Sequence, residues 1–104
     1  MNTFASGQIK ILVYCDEAVG IWYATALELN LTIDGEDKNS VVLELDQAIM
    51  DYVASAQSLG EVALLNQEPD PELLAMWYAK IQNKTDIVSP YTTHLAATES
   101  LVYG

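Results

Sequence analysis

No arginine occurs among the 104 residues, and the only basic side chains are four lysines, Lys10, Lys38, Lys80 and Lys84, set against fifteen aspartates and glutamates. The resulting formal charge of −11 excludes the usual chemistry of nucleic-acid binding, in which phosphate contacts and base readout depend on arginine and lysine. It also argues against attachment to anionic membrane surfaces. A single cysteine, Cys15, excludes an intrachain disulfide, and a single histidine, His94, leaves no His/Cys metal cluster to assemble within one chain. No apolar run approaches the ~20 residues of a membrane span. Residues 1–7 lack the basic start and apolar stretch of a secretory signal, so a cytoplasmic protein is expected. Nucleophile-elbow and phosphate-cradling glycine motifs are absent as well.

What the chain does have is apolar content. Hydrophobic residues make up 51%, enough for one folded domain with a modest core. Ile9 to Tyr14 is rich in β-branched and aromatic residues and predicts a strand. Asp16 to Gly20 suits a hairpin loop, and Ile21 to Ala26 predicts an antiparallel second strand. Leu27, Leu29, Leu31 and Ile33 alternate with polar residues, which predicts a third strand through Ile33. The Asp34-Gly35-Glu36-Asp37 turn follows, with Gly35 free to take a positive φ.

A long helix is expected over Lys38 to Leu59. Val41, Leu45, Ala48, Ile49, Tyr52, Val53, Ala56 and Leu59 form its apolar stripe, Asp37 or Asn39 is its N-cap, and Gly60 ends it. Residues 61–67 fit either strand or helix. Asp70-Pro71 reads as an N-cap with proline at the first helical position. Leu74, Trp77, Tyr78 and Ile81 then predict a second helix running to about Asn83. Ser89-Pro90 interrupts the tail, and Leu101 to Tyr103 is a candidate edge strand.

The fold expected is therefore α+β, an antiparallel three- to four-stranded sheet with one long helix packed across it and a second, shorter helix. Residues 1–60 form the core unit, 61–84 a connector and second helix, and 85–104 a C-terminal tail. Several chemical readings fail on the residues. Counted from Asp34, the sixth and twelfth places of a calcium loop hold Asn39 and Leu45 rather than glycine and glutamate. Asp16 and Glu17 are neighbours in a loop with nothing to bury them and split their pKa values. Cys15 and His94 lack any nucleophile signature, and Cys15 reads as a small apolar core residue. No catalytic residue, metal ligand or cofactor site is assigned.

Gly20-Ile21-Trp22-Tyr23-Ala24, Leu27-Glu28-Leu29, Asp34-Gly35-Glu36-Asp37 and the helix positions Val41, Leu45, Ala48, Ile49 and Tyr52 together resemble the HicB-like antitoxin domain. The likeness covers about Ile9 to Val53. It implies a partial RNase H-like β-β-β-α fold without catalysis, the acidic metal-binding set of RNase H enzymes having been lost. Glu28 is the one acidic residue expected on the strands. The resemblance further implies that the chain neutralises a small basic RNA-cleaving toxin by covering it, a role that an acidic surface suits.

Two features depart from the family. The second half of the chain has no arginine and offers only Lys80 and Lys84, which points away from the DNA-binding module many members carry. Leu29-Asn30-Leu31 stands where the family has a Pro-Gly-Cys-like turn. The partner-binding residues expected are Asp34, Glu36 and Asp37, with Trp22 or Tyr23, whichever faces outward. The alternative is a solitary homo-oligomeric interaction or scaffold module that self-associates through a sheet edge or the tail. A small-molecule pocket between the sheet and the second helix ranks last.

Overall fold

The computed structural model describes residues 1–81 and 93–103, the last stretch through its backbone and the side chains of Leu101 and Tyr103. Strand β1 (Gly7–Asp16) turns into β2 (Ile21–Ala26), and a single 3-10 turn (Leu27–Leu29) leads into β3 (Leu31–Gly35). Helix α1 (Lys38–Leu59) follows, then a second 3-10 turn (Val62–Leu65), helix α2 (Pro71–Ile81) and strand β4 (Thr93–Tyr103). All pairings are antiparallel, and the four-stranded sheet has the order β3-β2-β1-β4. The α+β architecture expected from the sequence is the one observed.

Local chemistry explains the boundaries. Gly20 adopts φ +69° and donates its N–H to the Asp16 carbonyl at 2.8 Å, closing the hairpin. Asp37 caps α1 by accepting from the Ser40 N–H at 2.9 Å, and Gly60 ends the helix with φ +68°. Asp70 caps α2 by accepting from the N–H of Glu72 at 2.8 Å, with Pro71 as the first helical residue.

The alternation of β1 and β2 sends Ile9, Ile11, Val13, Ala24 and Ala26 to one face. There they meet Val41, Leu45, Ile49, Val53 and Ala56 of α1 in the main core. Tyr103 of β4 and Leu65 of the connector complete it. Each fully buried Leu or Ile contributes roughly 1.5–3 kcal/mol. On the opposite face Leu12 and Leu27 meet Met76, with Tyr14, Leu73, Leu74 and Trp77 packed around them. Helix α2 thus covers part of the second face.

Several local expectations change. The third strand begins at Leu31, because Leu27–Leu29 is a 3-10 turn closed by Asn30 in the left-handed region at φ 49°. Leu27 and Leu29 consequently enter different cores. Gly35 does not have a positive φ. Its lack of a side chain instead admits Val41, whose Cγ2 would lie 2.9 Å from a Cβ there. Leu59 is exposed at the end of α1, and Tyr78 is exposed on α2 where Met76 and Ala79 are buried instead. Residues 61–67 include the 3-10 turn. The expected end of α2 near Asn83 and the Ser89-Pro90 break lie outside the described residues. The tail does supply an edge strand, eleven residues long rather than three, with Ala96 as the extra residue where the register shifts between Val13 and Tyr14.

Candidate functional site

Antiparallel order brings the end of β1, the start of β2 and the end of β3 to one end of the sheet. The hairpin turn and the β3–α1 turn lie at this end, which gathers Asp16 and Asp34 from strand ends and Glu17, Glu36 and Asp37 from the turns. Among the described residues Lys38 is the lysine at this end, and its ammonium sits 5.8 Å from the centre of the Trp22 ring.

The five residues expected to bind a partner fall in different settings. Trp22 lies opposite Gly35 on the α1 side, half-buried against the main core. Tyr23 lies on the other face, opposite Asp34, and its ring stacks on Tyr14 with centroids 5.2 Å apart. Tyr23 is therefore the member of the aromatic pair that faces away from α1. The hydroxyls of Thr25 and Thr32 approach to 2.9 Å beside it. Asp34 and Glu36 are exposed. Asp37 is exposed too but is committed to the helix start, accepting from the Ser40 N–H and, at 2.8 Å, from the Ser40 hydroxyl. The backbone N–H of Ser40, then its hydroxyl, holds the Asp37 carboxyl below the usual aspartate range. Tyr23 and Asp34 thus share one face, whereas Trp22 and Asp37 belong to the framework.

Sequence reasoning missed the role of Glu28. It lies on the 3-10 turn rather than a strand, and its carboxylate accepts from the Lys10 backbone N–H at 3.1 and 3.3 Å. It also pairs with the Lys10 ammonium at 3.6 Å. Lys10 in turn sits 5.6 Å from the centre of the Trp77 ring on α2. The acidic residues on the strands are instead Asp16, Asp34 and Glu99. Among the described residues no group of three or more His, Cys, Asp or Glu side chains is placed to hold a metal ion. Cys15 is buried, as read from the sequence, and the β4 residue opposite it is His94.

A polar groove of about 640 Å³ opens beside Lys10 and Glu28, lined also by Asn2, Gln8, Asn66 and Gln67. It lies between the N-terminal arm, β1 and the connector, not between the sheet and α2. Its amides are largely spent on one another: Asn2 donates through Nδ2 to the Leu65 carbonyl at 2.8 Å, and Asn66 through Nδ2 to the Asn2 carbonyl at 2.8 Å. Gln67 donates to the Tyr52 hydroxyl at 2.6 Å. The groove is a clasp that fastens the first residues to the connector.

No helix among the described residues is long and apolar enough to cross a membrane. Comparison with protein-family models, with curated proteins and with solved structures finds no match for this chain.

Proposed function

We propose that the chain is a non-enzymatic, HicB-like binding protein of antitoxin type, working in the cytoplasm, that masks a small basic RNA-cleaving toxin. The observation that carries this reading is the gathering of Asp16, Glu17, Asp34, Glu36 and Asp37 at one end of a sheet in a protein of charge −11. A field of one sign steers a basic partner and rejects acidic ones. The mechanism is steric and electrostatic: the acidic end meets the basic surface on which the toxin would hold RNA, and no bond is made or broken. The test is the reading frame next to this one in the source genome. Its product should be short and basic, should form a salt-sensitive complex with the chain, and should lose ribonuclease activity on binding. A neighbouring basic ribonuclease that stays fully active with the chain in excess would sink the proposal.

Self-association is the second reading, favoured by β4. It is the outer strand of the sheet and eleven residues long, so it offers a long row of backbone donors and acceptors to a second copy. Light scattering on the full chain distinguishes the two, because a monomer at high concentration removes this alternative.

A further inference from the structure

The opposite edge of the sheet has a different chemistry. β3 is the outer strand there, so half of its backbone N–H and C=O groups point away from β2. Its side chains sort by face. Leu31 and Ile33 are half-buried against the α1 core, and Thr32 and Asp34 stand exposed on the face of Tyr23. Glu36, two residues beyond Asp34, is exposed as well.

Asp16 and Asp37 are spent on the hairpin turn and the helix start. Asp34 and Glu36, in contrast, have no hydrogen bond or ion pair among the described residues. Two uncommitted carboxylates therefore flank the end of a free strand edge, with an aromatic ring across from one of them.

We infer that the β3 edge receives an extended segment of a basic protein, added to the four-stranded sheet as a further strand and carrying lysine or arginine at alternate positions. This rests on the binding-protein reading above and deepens it by naming the surface. Three physical requirements select the occupant. Edge groups are satisfied by another strand, which supplies affinity through main-chain hydrogen bonds. Charge complementarity in a molecule of −11 selects a basic strand over an acidic one. Asp34 lies in β3 and Glu36 in the bend just past its end, so a paired strand with cations at alternate positions, about 6.8 Å apart, brings one to Asp34 across from Tyr23 and carries the next toward Glu36. β3 is only five residues long. Backbone pairing alone is weak at that length, and the charge contacts decide which segments bind.

Two short peptides of identical composition test the inference. One alternates lysine or arginine with valine and threonine, and the other groups its basic residues at one end. Each is titrated into the isotope-labelled full chain at low salt. The alternating peptide should shift the amides of Leu31 to Asp37 and bind about tenfold more tightly than the grouped one. The pair D34N/E36Q should weaken it about tenfold, and E44Q/E61Q, the same charge change at exposed positions elsewhere, less than about twofold. Equal binding of the two peptides, equal loss in the two variant pairs, no binding of either peptide, or shifts confined to other elements would overturn the inference. Its fate separates from that of the antitoxin reading. A basic ribonuclease still neutralised by D34N/E36Q upholds the function and sinks the β3 site. Alternating-peptide binding without any neutralisation does the reverse.

Discussion

Gly7 is fixed by what surrounds it. A Cβ there would lie 2.6 Å from the Asn2 amide oxygen and would run into the Tyr103 hydroxyl, both backed by buried groups. Gly7→Ala should therefore destabilise by about 1–3 kcal/mol in urea unfolding, the usual scale of overpacking. Tyr103 closes the same corner by donating to the Thr3 carbonyl at 2.9 Å. Burial raises its pKa above the usual 10.0. A raised tyrosine pKa means that the unfolded chain loses this proton first, so the contribution is full below pH 10.0 and is lost as pH rises through the folded value. Tyr103→Phe should remove that alkaline component of the stability profile and cost about 0.5–1.5 kcal/mol at neutral pH for the lost hydrogen bond. Asp37 has the opposite sign. Ser40 holds its carboxyl below the ordinary aspartate value of 3.8. Its stabilising effect is present above 3.8 and fades as pH falls through the lower folded value. Asp37→Ala should flatten the acid limb of the unfolding profile measured by circular dichroism, and an unchanged limb would contradict the cap.

Among the elements, α1 was legible in the sequence at both of its ends, although Leu59, the last residue of the expected stripe, is exposed. Twenty-two residues of consistent spacing, an aspartate before them and a glycine after them all specify the same helix, and such agreement between signals is what makes a segment readable. The consequence is a sharp contrast between neighbours: Leu45 is fully buried and Leu43 is 69% exposed. Leu45→Ala should cost about 2–4 kcal/mol in denaturant unfolding and Leu43→Ala no more than about 0.5 kcal/mol. β3 was only half legible. The alternation of Leu27, Leu29, Leu31 and Ile33 fits a strand, but Asn30 in the left-handed region cuts it, and that conformation is set by the connector. Gln67 donates its N–H to the Glu28 carbonyl at 2.9 Å, and Asn30 donates to the Glu68 carbonyl at 3.2 Å. Local pattern cannot announce a partner some thirty-eight residues away. Of β4, Leu101 to Tyr103 was read as an edge strand, but residues 93–100 were hidden for the same reason, since their Thr- and Ala-rich sequence acquires strand structure by pairing along β1. At the candidate site, alternation separated Trp22 from Tyr23. Only the register, with Tyr23 across from Asp34, shows which of them shares a face with an uncommitted carboxylate.

At the scale of the whole molecule, charge outweighs every other feature of the surface. Principal extents of 40 × 26 × 18 Å hold a net −11, and the Debye length is about 30 Å at 0.01 M salt but only about 10 Å at 0.1 M. In dilute buffer most of these charges therefore feel one another, and compaction raises their mutual repulsion relative to the open chain. Among the described residues, the pair of Lys10 with Glu28 offsets part of this charge. Moderate sodium chloride should accordingly stabilise the fold, raising Tm by about 4–8 °C for each ~1 kcal/mol of repulsion screened. Charge reversal supplies the control. Asp34→Lys lowers the net negative charge by two units at an exposed position with no partner to lose among the described residues. It should raise Tm in dilute buffer and reduce the salt response, with the two curves converging once screening is complete. If instead salt lowered Tm for the native chain, or if Asp34→Lys left the salt response unchanged, long-range repulsion would not be what limits this fold. The acidic surface would then have to be explained by local contacts alone. If the predicted behaviour is observed, the carboxylates cost stability in the free protein, and a basic partner that neutralises them stabilises the chain by relieving the same repulsion that salt relieves.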